Sequence, residues 1–181
     1  MKIGFFMGFD LEKQNALTKD DKSHEQRWDE KIKGLCDKIN SSNDYFTTSS
    51  CSGRVTVVRA SEGKMKDGFL FKSHDKISVS DVENVSDDGL YFRQEPCALH
   101  VACRTLEDAQ KFLNMARNLG WKKSGIISSG KRFVIELFST EMIVLPLMKN
   151  MDREFLELVV REANLKLERT WGKILRLSEG F

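Results

Sequence analysis

The chain has 181 residues, 40% of them hydrophobic, which is enough for one substantial core and excludes a disordered protein. With 29 Lys and Arg against 27 Asp and Glu, the net charge of +2 gives no global push toward polyanions and counts against indiscriminate RNA coating, so any nucleic-acid contact must come from a local patch. The cysteines Cys36, Cys51, Cys97 and Cys103 form no C-x-x-C pair and the chain opens without a secretory pattern, so a reduced, cytoplasmic protein is expected. Met1 to Phe9 is apolar but far too short to span a membrane and reads as a packing arm.

From Glu25 to Asn40 the residues Trp28, Ile32, Leu35, Cys36 and Ile39 recur at helical spacing. Tyr45 to Thr48 and Val55 to Val58 are β-branched and aromatic and predict two strands joined at Ser49 to Gly53, where strand chemistry pauses. Ser61 to Gly68 reads as a turn, Phe69 to Ser73 as a strand, and Asp75 to Gly89 as a polar loop with a short Val-containing middle. Leu90 to Gln94 and Cys97 to Cys103 predict strands flanking Pro96; in the second, Leu99, Val101 and Cys103 share a face and His100 points the other way.

Thr105 caps a helix whose apolar set is Leu106, Ala109, Leu113 and Ala116, with Gly120 as its stop. Ser124 and Gly125 fall in a helix-to-strand connection, and Lys131 and Arg132 begin the next strand, which continues through Phe133 to Phe138. Met142 to Leu145 predict a further strand, and from Asp152 the residues Phe155, Val159, Ala163, Leu167, Trp171 and Ile174 predict a long last helix. Neither a repeat nor a low-complexity linker divides the chain, so a single α+β domain over residues 1–181 is expected, with a curved, largely antiparallel or mixed sheet.

No G-x-G-x-x-G turn and no G-x-x-x-x-G-K-[ST] loop occurs, so a Rossmann-like or Walker-type nucleotide fold has no anchor. The most unusual segment is Thr47-Thr48-Ser49-Ser50-Cys51-Ser52-Gly53-Arg54. Its hydroxyls and amides can surround a carboxylate or phosphate while Arg54 supplies a planar cationic fork; capping of backbone groups at a strand end is the plainer reading. Lys72-Ser73-His74 closes a strand, and Glu95-Pro96 precedes the strand carrying His100, so His74, His100 and Glu95 are candidate proton acceptors. Two separated histidines and scattered cysteines lack ligand spacing, and no metal site is expected. Cys51 with His74 or His100 would make a nucleophile and base, the weakest of these readings.

In order, Tyr45 to Arg54, Lys72-Ser73-His74, Glu95-Pro96 through His100, the helix after Thr105, Ser124-Gly125 and Val144-Leu145-Pro146 resemble the tRNA wybutosine-synthesising protein 3 family, and the compact length is similar to archaeal members. The resemblance runs from about Trp28 to Trp171, and Ser49 to Arg54 is its most specific element. It implies methylation, with S-adenosylmethionine as donor, at N4 of a 4-demethylwyosine derivative in the anticodon loop of tRNA(Phe), at position 37. It also implies Ser52, His74, Glu95 and His100 as catalytic groups, and Ser49, Ser50, Arg54, Ser124 and Gly125 as donor-binding ones. Cys97-Ala98 departs from the large apolar residues usual after Glu-Pro, and the Asp75 to Gly89 loop matches no family pattern. The competing class is a non-catalytic RNA-binding or scaffold protein using the same basic edges.

Overall fold

The computed structural model describes residues 3–18, 29–59 and 68–181, with side chains in the first helix described from residue 8. Its strands and helices cluster into two compact units: one comprises Met1–Ser52, Ala98–Ser139 and Lys173–Phe181, the other Gly53–Cys97 and Thr140–Gly172. Each unit is built on its own four-stranded sheet, and every strand pairing among the described residues is antiparallel. The α+β expectation holds, with the strands divided between two sheets.

The first unit holds α1 (Ile3–Thr18), α2 (Glu30–Ser41), β1 (Tyr45–Cys51), β5 (Ala98–Cys103), α4 (Leu106–Asn118), β6 (Gly125–Ser128) and β7 (Phe133–Phe138). Its sheet runs β1-β5-β7-β6. Asp29 caps α2 by accepting from the Lys31 amide at 3.2 Å, and Ile32, Leu35, Cys36 and Ile39 are its buried stripe. The helix therefore begins later than the apolar pattern suggests; Glu25 to Trp28 lie outside the described residues.

Thr105 and Asp108 close a capping box on α4, and Gly120 past its end takes φ +99°. Its buried face is Ala109, Phe112, Leu113 and Ala116; Leu106, expected inside, is exposed because it stands at the first helical position, ahead of that face. The aromatic rings of Tyr45, Phe112 and Phe181 meet with centroids 4.9 to 5.9 Å apart, fixing the C-terminal end of the chain in this unit.

The second unit holds β2 (Arg54–Arg59), β3 (Phe69–Ser73), α3 (Val79–Glu83), β4 (Leu90–Glu95), β8 (Ile143–Leu147) and the Arg153 to Gly172 part of α5 (Arg153–Glu179). Its sheet runs β3-β2-β4-β8, and Pro146 sits on the edge strand β8, where its missing donor costs no ladder bond. One face is dry: Val55, Val57, Leu90, Phe92 and Leu147 pack with Leu156, Val160, Ala163 and Leu167 of α5. Phe155, expected in that stripe, is exposed; Leu156 and Val160 take the inward positions.

Further expectations are corrected. The opening residues form a helix from Ile3 rather than an arm, with Phe9 buried against Phe46 and Ala102. The hydroxyl-rich row does not interrupt β1, which continues to Cys51 because β5 supplies its backbone partners. Asp75 to Gly89 contains α3, opened by a Ser78–Asp81 capping box and anchored by Asn164, whose amide bonds both the Ile77 N–H and the Ile77 carbonyl at 3.0 and 2.9 Å. Ser124 closes a helix-to-strand connection as expected, but the strand it enters is the unexpected β6 from Gly125, and β7 starts at Phe133 rather than Lys131. The turn expected from Ser61 lies, up to Asp67, outside the described residues.

Candidate active site

Side chains alternate along a strand, so a run of consecutive hydroxyls cannot all face one ligand. In β1 the alternation is reset by a bulge between Thr47 and Ser49. Thr47 stands opposite Val101 and Ser49 opposite His100, so Ser49 projects on the His100 face while Ser50, opposite the buried Leu99, projects on the other. Thr47 is held by Asn40, whose carbonyl accepts from the Thr47 amide at 2.8 Å. Ser50 turns to α2, where its hydroxyl bonds the Cys36 thiol; burial nonetheless pushes that thiol up to about 11. The five hydroxyls therefore serve two faces rather than one cradle.

On the His100 face, Ser49 Oγ lies 2.9 Å from Nδ1 of His100, and Nε2 of the same ring lies 2.9 Å from Oε1 of Glu136. The three residues share one rung of the sheet, because Ser49 pairs with His100, His100 with Glu136, and Glu136 with Gly125. A side chain at Gly125 would meet nothing within 4 Å, so the end of the rung beside Glu136 is open. Glu136 was not anticipated from sequence. Its signal was a lone charged residue in an otherwise apolar strand, paired with a strand in which His100 is the lone ionisable side chain apart from the buried thiol of Cys103.

Two other expected residues in this unit are structural in their contacts. Ser52 is fully buried and its amide donates at 2.8 Å to Oδ2 of Asp29, the residue that caps α2. Asp29, also missed from sequence, thus ties the end of the hydroxyl row to a helix N-terminus. Ser124 is buried, accepts from the Phe138 amide through Oγ at 3.2 Å and from Arg117 through its carbonyl at 2.8 Å, and so pegs α4 to β7.

In the second unit, Arg54 and Glu95 are cross-strand partners on β2 and β4, and Nε of Arg54 donates to Oε2 of Glu95 at 2.6 Å. A bulge between Val57 and Val58 turns Phe69 toward the same face, and the Arg54 guanidinium lies 5.0 Å from the Phe69 ring centroid. Carboxylate and ring together set the plane of a cationic fork that is a little under one-third exposed. Nδ1 of His74 donates to the Gly53 carbonyl at 3.2 Å. Gly53 takes φ +94°, and a Cβ there would stand 3.1 Å from the Glu95 carbonyl oxygen.

A family model described as Methyltransferase TYW3 matches residues 10–181. The chain belongs to the TYW3 methyltransferase family. It is 39% identical over 183 aligned residues to the tRNA(Phe) 7-((3-amino-3-carboxypropyl)-4-demethylwyosine(37)-N(4))-methyltransferase 1 of Thermococcus kodakarensis, covering 94% of this chain and 92% of the relative. It is 35% identical to the tRNA wybutosine-synthesizing protein 3 homolog of Xenopus laevis, covering 91% of this chain and 70% of that one. The solved structure of the PH1069 protein from Pyrococcus horikoshii superposes with a TM-score of 0.86 at 34% identity, covering 97% of both chains. The TYW3 family and its methyltransferase class therefore stand as the sequence resemblance implied, with relatives in archaea and vertebrates. No helix among the described residues is long and apolar enough to cross a membrane.

Proposed function

We propose that this TYW3-family enzyme, acting as one catalytic domain over residues 1–181, methylates N4 of 7-(3-amino-3-carboxypropyl)-4-demethylwyosine at position 37 in the anticodon loop of tRNA(Phe), in the cytoplasm. The observation that carries the proposal is the 39% identity to the Thermococcus kodakarensis enzyme over 94% of the chain. The methyl donor is S-adenosylmethionine, whose sulfonium supplies an electrophilic carbon for in-line displacement. Methyl transfer of this kind asks the protein chiefly for alignment and for a place to put the proton that the nitrogen loses.

The residues present suit both demands. Arg54, held in plane by Glu95 and Phe69, is a fork for a carboxylate, the group that the donor and the aminocarboxypropyl substituent both carry. Because Glu95 is engaged by Arg54, its part is to orient that fork, and proton acceptance falls to histidine. His74 is fixed through Nδ1 on the Gly53 carbonyl and His100 through both ring nitrogens. In the first unit Ser50 bonds the Cys36 thiol, the Ser52 amide donates to Asp29, Ser124 accepts from the Phe138 amide, and Gly125 opens β6.

The test is direct. Purified protein is titrated calorimetrically with S-adenosylmethionine and then incubated with donor and tRNA(Phe) carrying the demethylated precursor, and the nucleoside at position 37 is weighed by mass spectrometry. A gain of one methyl mass located on N4 is expected. Donor binding without methyl gain on any precursor would replace the proposal with a non-catalytic RNA-binding role.

A further inference from the structure

We propose that Ser49, His100 and Glu136 form a proton relay: Ser49 Oγ meets the substrate, His100 stores the proton and Glu136 is a positioning residue that fixes the ring. This rests on the methyl-transfer reading above and adds to it the route by which the proton leaves.

The hydrogen-bond directions follow from chemistry. A carboxylate only accepts, so Nε2 of His100 must carry hydrogen toward Glu136 Oε1 at 2.9 Å. In the neutral ring Nδ1 is then the lone-pair nitrogen, and the Ser49 hydroxyl donates to it at 2.9 Å. Both ring nitrogens are occupied, so His100 does not take a proton from a ligand directly. Ser49 is the exposed member, while the side chains of His100 and Glu136 are about one-third exposed, at 32% and 36%. This also removes His100 as a base for Cys51.

The step balances. As the bond from nitrogen to the methyl carbon forms and the carbon–sulfur bond of the sulfonium breaks, the N–H electron pair remains on nitrogen. The N–H proton passes to Ser49 Oγ while the Ser49 hydroxyl proton passes to Nδ1. The positive charge that leaves sulfur reappears on the imidazolium, facing Glu136.

The ring's charged surroundings are few. On the same face α1 brings Asp10, Glu12 and Lys13, but Asp10 is held by Arg104, Glu12 by Arg132 at 3.2 Å, and Lys13 by the Ser42 carbonyl. The ionisable groups on β1 are the Cys51 thiol and the Tyr45 phenol, which donates to the Asp108 carbonyl at 3.1 Å. Among the described residues Glu136 is the carboxylate bonded to the imidazole.

The experiment compares single-turnover methylation rates of wild type, Ser49→Ala, Glu136→Gln and Glu136→Asp, with nitrogen NMR of the His100 ring in the same proteins to read its tautomer, assigned with a His100→Gln variant. Glu136→Gln removes the charge that holds the proton on Nε2 and faces the imidazolium, and should mix the two tautomers and lower the rate roughly tenfold. Glu136→Asp, which keeps the charge, should restore both. Ser49→Ala should lower the rate about 100-fold with an intact fold.

An unchanged His100 tautomer with an unchanged rate in Glu136→Gln, or full turnover in Ser49→Ala, would overturn the relay. Should Glu136→Gln not fold, Ser49→Ala and Glu136→Asp decide in the same way. Wild-type protein that never methylates would instead overturn the methyl-transfer reading on which the relay depends.

Discussion

Arg54 is clasped on its Nε side by Glu95 at 2.6 Å and covered by the Phe69 ring at 5.0 Å. Lysine can keep a charge near both partners, but its point charge has no plane for them to stack or to orient. Arg54→Lys should lower kcat/KM for methylation by roughly 10- to 100-fold, the scale of one charge-assisted bond, and shift the unfolding midpoint little. Phe69→Ala, losing only the cation–π contact, should cost a few-fold. Steady-state kinetics beside denaturant melts separate the two effects; an Arg54→Lys enzyme at full activity would take the fork out of the site.

Gly53 joins the hydroxyl row to Arg54 with φ +94°, and a Cβ there would press to 3.1 Å on a backbone oxygen. The oxygen belongs to strand β4 and cannot swing aside as a flexible side chain would. Gly53→Ala should destabilise the protein by about 1–2 kcal/mol from the left-handed backbone alone. Urea denaturation measures it, and a wild-type midpoint would contradict the geometry.

Most of the secondary structure was legible in the sequence because the period of the apolar residues is a local property. The face of α2, the Thr105 cap of α4 and the out-pointing His100 all followed from spacing. The rung from Ser49 to Glu136 was not legible, since a bulge at Thr48 decides which hydroxyl meets His100 and nothing in Thr47-Thr48-Ser49-Ser50 marks which residue is skipped. Glu136 was hidden for a related reason: its partner comes from another strand, and register between strands is a long-range property. The helix inside Asp75 to Gly89 escaped notice because its hold on the fold comes from Asn164, far along the chain.

Burial pushes the thiols of Cys36 and Cys103 up to about 11 and about 12, and Cys97 is fully buried. At neutral or mildly alkaline pH Cys36 and Cys103 stay protonated as well as covered. Cys51 is half-buried and should be the cysteine that iodoacetamide alkylates in the folded protein. Peptide mapping by mass spectrometry reads this, and early labelling of Cys36 would contradict the packing of α2 on β1.

The carboxyl of Asp81 is held below the usual carboxylate range by the Ser78 amide first and then by the Ser78 hydroxyl. A depressed folded pKa contributes stability above the unfolded pKa of about 3.9, and loses it as pH falls through the folded value. Asp81→Asn should therefore be less stable than wild type near neutrality by a few tenths of a kcal/mol, and the two should converge in strong acid. Paired denaturant melts at the two pH values test the sign; a gap that persists in acid would assign the effect to packing.

Strand β1 is followed at once by β2, yet its hydrogen-bonding partner is β5, and β5 in turn needs β7. During synthesis β1 must leave the ribosome and wait, its Tyr45 without the Phe112 and Phe181 rings and its edge unpaired, until Ala98 to Cys103 and the later elements emerge. The growing chain passes through a window in which the segment richest in chemistry is also the one most open to aggregation.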